Sequence, residues 1–288
     1  MATWTARRKG ARSARSAGRR TANSGRQAAN STAMRVLARV GLVARGVMYV
    51  VIGWIAVQIA FFHSSQQADR TGALHAISAT PVGGVLLWLL VIGFIGMTLW
   101  RLCEAVYGSP GTSTRKTSQR VAALGKAIVY AVLAYSVLKY AIGAGAPQSS
   151  DKQSVDLTAT AMKYPGGRVA IIVIGLALIG AGIYLAYQAW KKQFRSDLKL
   201  GQLHGRGRQA VEWLGEFGGI ARGAVFATAG IFLVVAAVQA KPGQAKGADS
   251  ALRALAATPL GPWLLLLVAI GLIMFGVFSW CEAKWLKL

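Results

Sequence analysis

Charged residues are scarce in this sequence. They make up 15% of its 288 residues while 54% are apolar, against roughly 25% charged in soluble domains. There is too little polar surface to cover a soluble fold. Cysteine is scarcer still: Cys103 and Cys281 are the only two, both expected at a cytoplasmic edge where thiols stay reduced, so no disulfide is expected. His63, His75 and His204 fall on two different sides of the membrane in the topology derived below, and no paired-cysteine motif accompanies them, so no metal site is expected. Also missing are a phosphate-binding loop, a zinc pattern, a nucleophile with histidine and acid partners, and a histidine pair for haem. The chain is expected to be non-enzymatic and to carry no cofactor.

What the sequence has is long apolar runs. Uncharged stretches cover residues 46–62, 83–100, 169–190, 223–240 and 254–281, each about the 17 to 25 residues that cross a hydrocarbon core of about 30 Å. A sixth, residues 121–143, carries Lys126 and Lys139 near its ends, where long stems snorkel to headgroups. The net charge of +24 is strongly sided. Most Lys and Arg fall on one side of the six spans, which places both termini in the cytoplasm by the positive-inside rule. The expected location is the inner, cytoplasmic membrane.

The first 39 residues hold ten Lys and Arg and no acid, too polar and too charged to bury a core. Three readings of this tail compete: an anchor to anionic lipid heads, a nucleic-acid contact, and an organellar targeting peptide. The lipid anchor is favoured, nucleic-acid contact is not expected, and a membrane-protein partner is a further possibility for the tail.

Self-comparison divides the rest into three hairpin repeats. Ala44-Arg45-Gly46 with Tyr49 and Gly53 answers to Ala221-Arg222-Gly223 with Phe226 and Gly230; Thr80-Pro81-Val82-Gly83 answers to Thr258-Pro259-Leu260-Gly261; Cys103-Glu104-Ala105 answers to Cys281-Glu282-Ala283. In the middle copy Lys126, Ala127 and Tyr130 stand for Arg45, Gly46 and Tyr49, Pro165-Gly166-Gly167 supplies the turn, and Tyr187-Gln188-Ala189 ends the unit. The expected division is a basic tail over 1–35 and repeats over 36–108, 109–195 and 196–288. These motifs resemble a bacterial membrane family known as domain of unknown function 1206, over about residues 37–286. The resemblance implies fold and membrane location, and no catalytic residue.

The expected fold is all-α and polytopic: six transmembrane helices as three parallel hairpin repeats in a pseudo-threefold bundle. Short interfacial helices are expected in the outer connectors at 72–80, 155–164 and 250–258, the last capped by Asp249 or Ser250. Small residues at Ala177, Gly180, Ala181, Gly182, Gly219 and Gly223 are candidates for close helix contacts.

The candidate site is the set of charges that the repeat places at helix ends. Arg45 is expected opposite Glu104, and Arg222 opposite Glu282, because an arginine and a carboxylate are the best matched pair in a partly dehydrated site. One reading is a clamp on each hairpin; the other is a cytoplasmic vestibule for an ion, a proton or an anionic solute. The middle repeat sets Lys126 against Gln188, leaving one cation without an equivalent acid. If the three bases converge, the net positive site suits an anion such as a lipid phosphate.

Overall fold

The computed structural model describes residues 32–62, 66–107, 117–145, 148–196, 198, 201, 205–256 and 261–285. Residues 1–31, His63, His204 and the Thr258-Pro259-Leu260 turn lie outside the described residues, and with them nearly all of the basic tail. The chain is all-helical. Among the described residues six helices are long and apolar enough to cross a membrane: α1 (Thr32–Phe62), α3 (Gly83–Tyr107), α4 (Thr117–Ala141), α6 (Gly167–Trp190), α7 (Arg206–Val238) and α9 (Gly261–Trp285). It is a multi-pass membrane protein. Short helices α2 (Arg70–Ser78), α5 (Ser150–Met162) and α8 (Ala248–Ala256) fill the three connectors, each starting a few residues before the expected segment.

Glycine sets the turn from connector to returning span. Gly166 adopts φ +80°, which a side chain would oppose. At Gly83 a Cβ would stand 2.5 Å from the carbonyl oxygen of Ile77 and 2.7 Å from that of Ser78. The Pro-x-Gly motif thus marks a place where the returning span starts against the end of the connector helix. Pro81 and Pro165 precede the span by two residues rather than sitting in its first turn.

The spans pack as a chain of neighbours, α4 to α3 to α1 to α9 to α7 to α6. Two of these contacts join the helices of one repeat, α1 with α3 and α7 with α9; the other three join the returning helix of one repeat to the outgoing helix of the next. Among the described residues α4 and α6, the two spans of the middle repeat, form no comparable interface.

Glycine pairs make two of the three contacts between repeats, α1 with α9 and α6 with α7. A Cβ on Gly46 would stand 2.7 Å from the Gly276 carbonyl oxygen, and the reverse holds at the same distance. Seven residues on, Gly53 meets Ala269 at 2.8 Å. The α6–α7 contact repeats the device with Gly182 on Gly223 and Gly175 on Gly230. Backbones approach this closely only where no side chain intervenes, and the seven-residue spacing keeps the seam on one face of both helices. Of the small residues singled out from sequence, Gly182, Gly219 and Gly223 lie in this seam. Ala177, Gly180 and Ala181 do not: all three are exposed, and Gly180 has nothing within 4 Å of where its Cβ would be. The reason is positional, because α6 turns its 175, 182 and 189 face to α7 and these three lie on another.

The connectors interlock in a cycle. Asp69 caps α2, accepting from Thr71 N and Gly72 N at 2.9 and 3.1 Å, and also accepts from Ser150 N and Ser150 Oγ at 2.7 and 2.9 Å. Asp151 accepts from Gly247 N at 2.7 Å and from Ser250 N and Oγ. Asp249 accepts from Ala68 N at 2.7 Å and from Arg253 Nε at 3.0 Å. Each connector's aspartate therefore takes a donor from the next connector, and the third returns to the first. The amide of Ser250 is capped by the neighbouring Asp151, while Asp249 reaches across to Ala68, instead of either Asp249 or Ser250 capping α8 locally. Burial holds the Asp249 carboxyl above the ordinary aspartate range, against the hydrogen bonds from Ala68 and Arg253.

Asp69→Ala strips three backbone N–H groups and a hydroxyl of their acceptor. It is expected to cost about 2 kcal/mol, combining a lost cap with unsatisfied donors. Thermal unfolding in mild detergent checks this, with exposed Asp156→Ala as the control that leaves the transition unmoved.

Candidate functional site

The charges at the opposite end of the bundle from the connectors sit within helices, not at their starts. Arg45 is the fourteenth residue of α1, which begins at Thr32. Arg222 stands sixteen residues from either end of the 33-residue α7, about 24 Å along the helix each way at 1.5 Å per residue. Apolar runs alone conceal this, since both helices continue well upstream of their uncharged stretch.

The ion pairs differ from the expected ones. Arg45 pairs with Glu282, from the third repeat, through its terminal nitrogen, and its Nε donates to Ser279 Oγ at 3.0 Å. Glu104 pairs with Arg101 on its own helix at 2.6 Å. Neither Arg45 with Glu104 nor Arg222 with Glu282 is an ion pair. The cause is the packing: the returning helix of each repeat lies against the outgoing helix of the next, so acid and base meet across repeats.

Arg45 also lies in electrostatic reach of Tyr130 of α4, a buried phenol. Arg101, Arg222 and Arg45 all act electrostatically on Tyr130, and Lys126 interacts with Arg101, Glu104 and Arg222. The bases of the three repeats, Arg45, Lys126 and Arg222, thus gather around one tyrosine. Phe275 of α9 lies beneath two of them, 5.2 Å from the Arg45 guanidinium and 4.9 Å from that of Arg222, which also lies 5.7 Å from Phe226. Aromatic faces attract guanidinium groups in partly dry surroundings.

Carboxylates do not balance this centre. Four cations (Arg45, Arg101, Lys126, Arg222) face two carboxylates (Glu104, Glu282), a formal excess of two positive charges. Among the described residues Arg222 has no carboxylate within ion-pairing distance, and its Nε is buried without a hydrogen-bond acceptor. Lys126 is exposed and likewise lacks an ion pair. Gln188 donates to Tyr184 Oη at 2.7 Å, within its own helix, and is not brought into the centre by any contact.

A family model described as Domain of Unknown Function (DUF1206) matches the chain three times, at residues 40–108, 121–192 and 217–285. The chain belongs to the DUF1206 family. It is 28% identical over 243 residues to the Uncharacterized protein YxxB of Bacillus subtilis (strain 168), covering 84% of this chain and 87% of that relative. No solved structure matches the chain. Each DUF1206 unit places its base at the same offset: Arg45, Lys126 and Arg222 each come five residues after the first matched residue.

That register, with pairing across DUF1206 units, moves the orphan cation. Glu282 of the third unit serves Arg45 of the first, so Glu104 corresponds to the acid for Lys126, and Gln188 stands where the acid for Arg222 would be. Arg222, rather than Lys126, is the base whose counterpart is missing. Sequence reasoning overlooked Arg101, Tyr130, Ser279 and Phe275. The signal for Tyr130 was present, because an aromatic stands four residues after every base, at Tyr49, Tyr130 and Phe226, one helical turn away on the same face.

Proposed function

We propose that the chain is a non-enzymatic, organising component of the cytoplasmic membrane, with both termini in the cytoplasm. The observation that carries this reading is the cyclic clasp of Asp69, Asp151 and Asp249. Transporters of repeated design move one repeat against another; a clasp that joins every connector to the next, with glycine seams beneath it, opposes such motion. The orientation rests on the excess of basic residues on the tail side of the spans. The tail contacts anionic lipid heads and a membrane-protein partner; nucleic acid plays no part.

Native mass spectrometry of the full chain, released gently from its own membrane, tests the role. A stoichiometric protein partner is expected, and it is expected to be lost when residues 1–31 are removed. A full-length chain that always emerges without a partner sinks the organising role.

The unpaired Arg222 and Lys126 favour a second reading, a facilitator for a small anion with the basic centre as its mouth. Anion flux in liposomes that falls on Lys126→Gln supports it, and an ion-tight wild type excludes it.

A further inference from the structure

The middle hairpin is built to close and stands open. In the first repeat Ala44 packs on Gly93, and Gly96 on Leu37; in the third Ala221 packs on Gly271. Counting from the aligned Arg45 and Lys126, and from Glu104 and Gln188, the middle repeat's counterparts of Ala44, Gly93 and Gly96 are Gly125, Ala177 and Gly180. Gly125 and Gly180 have nothing within 4 Å of a Cβ position, and Ala177 is exposed. The larger neighbours agree. Met48 and Leu90 are 5% and 3% exposed, whereas their counterparts Val129 and Ile174 are 58% and 51% exposed. The seam faces of α4 and α6 are therefore exposed and apolar, with Lys126 one residue from Gly125 on α4 and Arg222, among the described residues, without a counter-charge.

We propose that this opening holds one anionic phospholipid, its phosphate on Arg222 and Lys126 and its acyl chains against Val129 and Ile174. Charge complementarity selects the head: two unpaired cations need an anion, and a guanidinium with a free Nε matches phosphate oxygens. The apolar walls select a lipid over a free anion, which has no use for them. The two determinants are the two departures of the middle repeat from its neighbours, Gln188 in place of glutamate and an unpaired hairpin. Such a site suits either reading of the chain's role.

The test is native mass spectrometry of the full chain in mild detergent with added phosphatidylglycerol, phosphatidylcholine or inorganic phosphate. Wild type is expected to retain one phosphatidylglycerol and no phosphatidylcholine. Lys126→Gln and Gln188→Glu, the latter giving Arg222 a carboxylate, are each expected to weaken retention about fivefold, the worth of roughly one basic contact to an anionic surface. Gly125→Leu, placed in open space, is expected to block the lipid without disturbing the fold. Equal retention of phosphatidylcholine, or retention unmoved by Gln188→Glu and Gly125→Leu together, overturns the proposal. So does retention of inorganic phosphate that Gly125→Leu leaves intact, which assigns the centre to a free anion. Gly125→Cys with Ala177→Cys, in a chain with Cys103→Ser and Cys281→Ser, reports the separation directly: quantitative cross-linking in a bilayer shows the seam closed and overturns the proposal as well.

Discussion

Arg45→Ala is expected to destabilise the bundle by about 3 to 5 kcal/mol, the usual cost of removing one partner from a buried ion pair. The Arg45 and Glu282 side chains are only 14% and 20% exposed, so neither charge is well solvated without the other. Arg45 also donates to Ser279, which is fully buried. Its loss leaves one carboxylate and one hydroxyl oxygen of α9 short of a donor and weakens the α1–α9 contact. Arg45→Ala with Glu282→Ala is expected to cost clearly less than the sum of the single changes, because the double variant no longer buries an unpaired carboxylate. Unfolding of the four chains in mixed detergent micelles measures this cycle. Additive losses, or a loss below about 1 kcal/mol for Arg45→Ala, the range of exposed pairs, would show that the pair only decorates the surface.

Gly223→Leu is expected to cost about 3 kcal/mol or more, at the upper end of overpacking. A Cβ there would stand 2.5 Å from the Gly182 carbonyl oxygen and 3.0 Å from the Ala186 side chain. Backbone cannot rotate aside as a side chain does, so α6 and α7 must separate. Because among the described residues α6 has no comparable interface with another span, their separation removes its main support. Gly180→Leu on α6 is the matched control: it adds the same side chain into open space and is expected to leave stability within about 0.5 kcal/mol, as surface changes do. Equal thermal shifts for the two substitutions would mean that glycine acts here through helix propensity and not through the seam.

The contrast between these two glycines shows how far a small-residue pattern reads. Gly180 and Gly182, the α6 partner of Gly223, stand in the same run of α6 and are alike to any rule that counts small residues. What separates them is which face meets a neighbour, a fact of packing between repeats. The stronger clue in the sequence was the heptad pair, Gly46 with Gly53 and Gly223 with Gly230, which recurs in two repeats at the same register. The connectors were legible as short helices from their position before Pro-x-Gly. Their clasp was not, since Asp69, Asp151 and Asp249 look like ordinary helix starts until their partners turn out to lie in the next connector.

The sequence by itself determined the six spans, the three repeats and the three repeat-borne bases Arg45, Lys126 and Arg222, because burying apolar runs in lipid and repeating one hairpin leave a local signature in every copy. Only the tertiary structure decided which acid meets which base. Pairing each returning helix with the next repeat's outgoing helix joins Arg45 to Glu282 and leaves Arg222 as the unmatched cation. It also left α4 and α6 apart, although both carry the small residues of a seam, since a seam needs two faces to meet and no pattern along one chain states that they do.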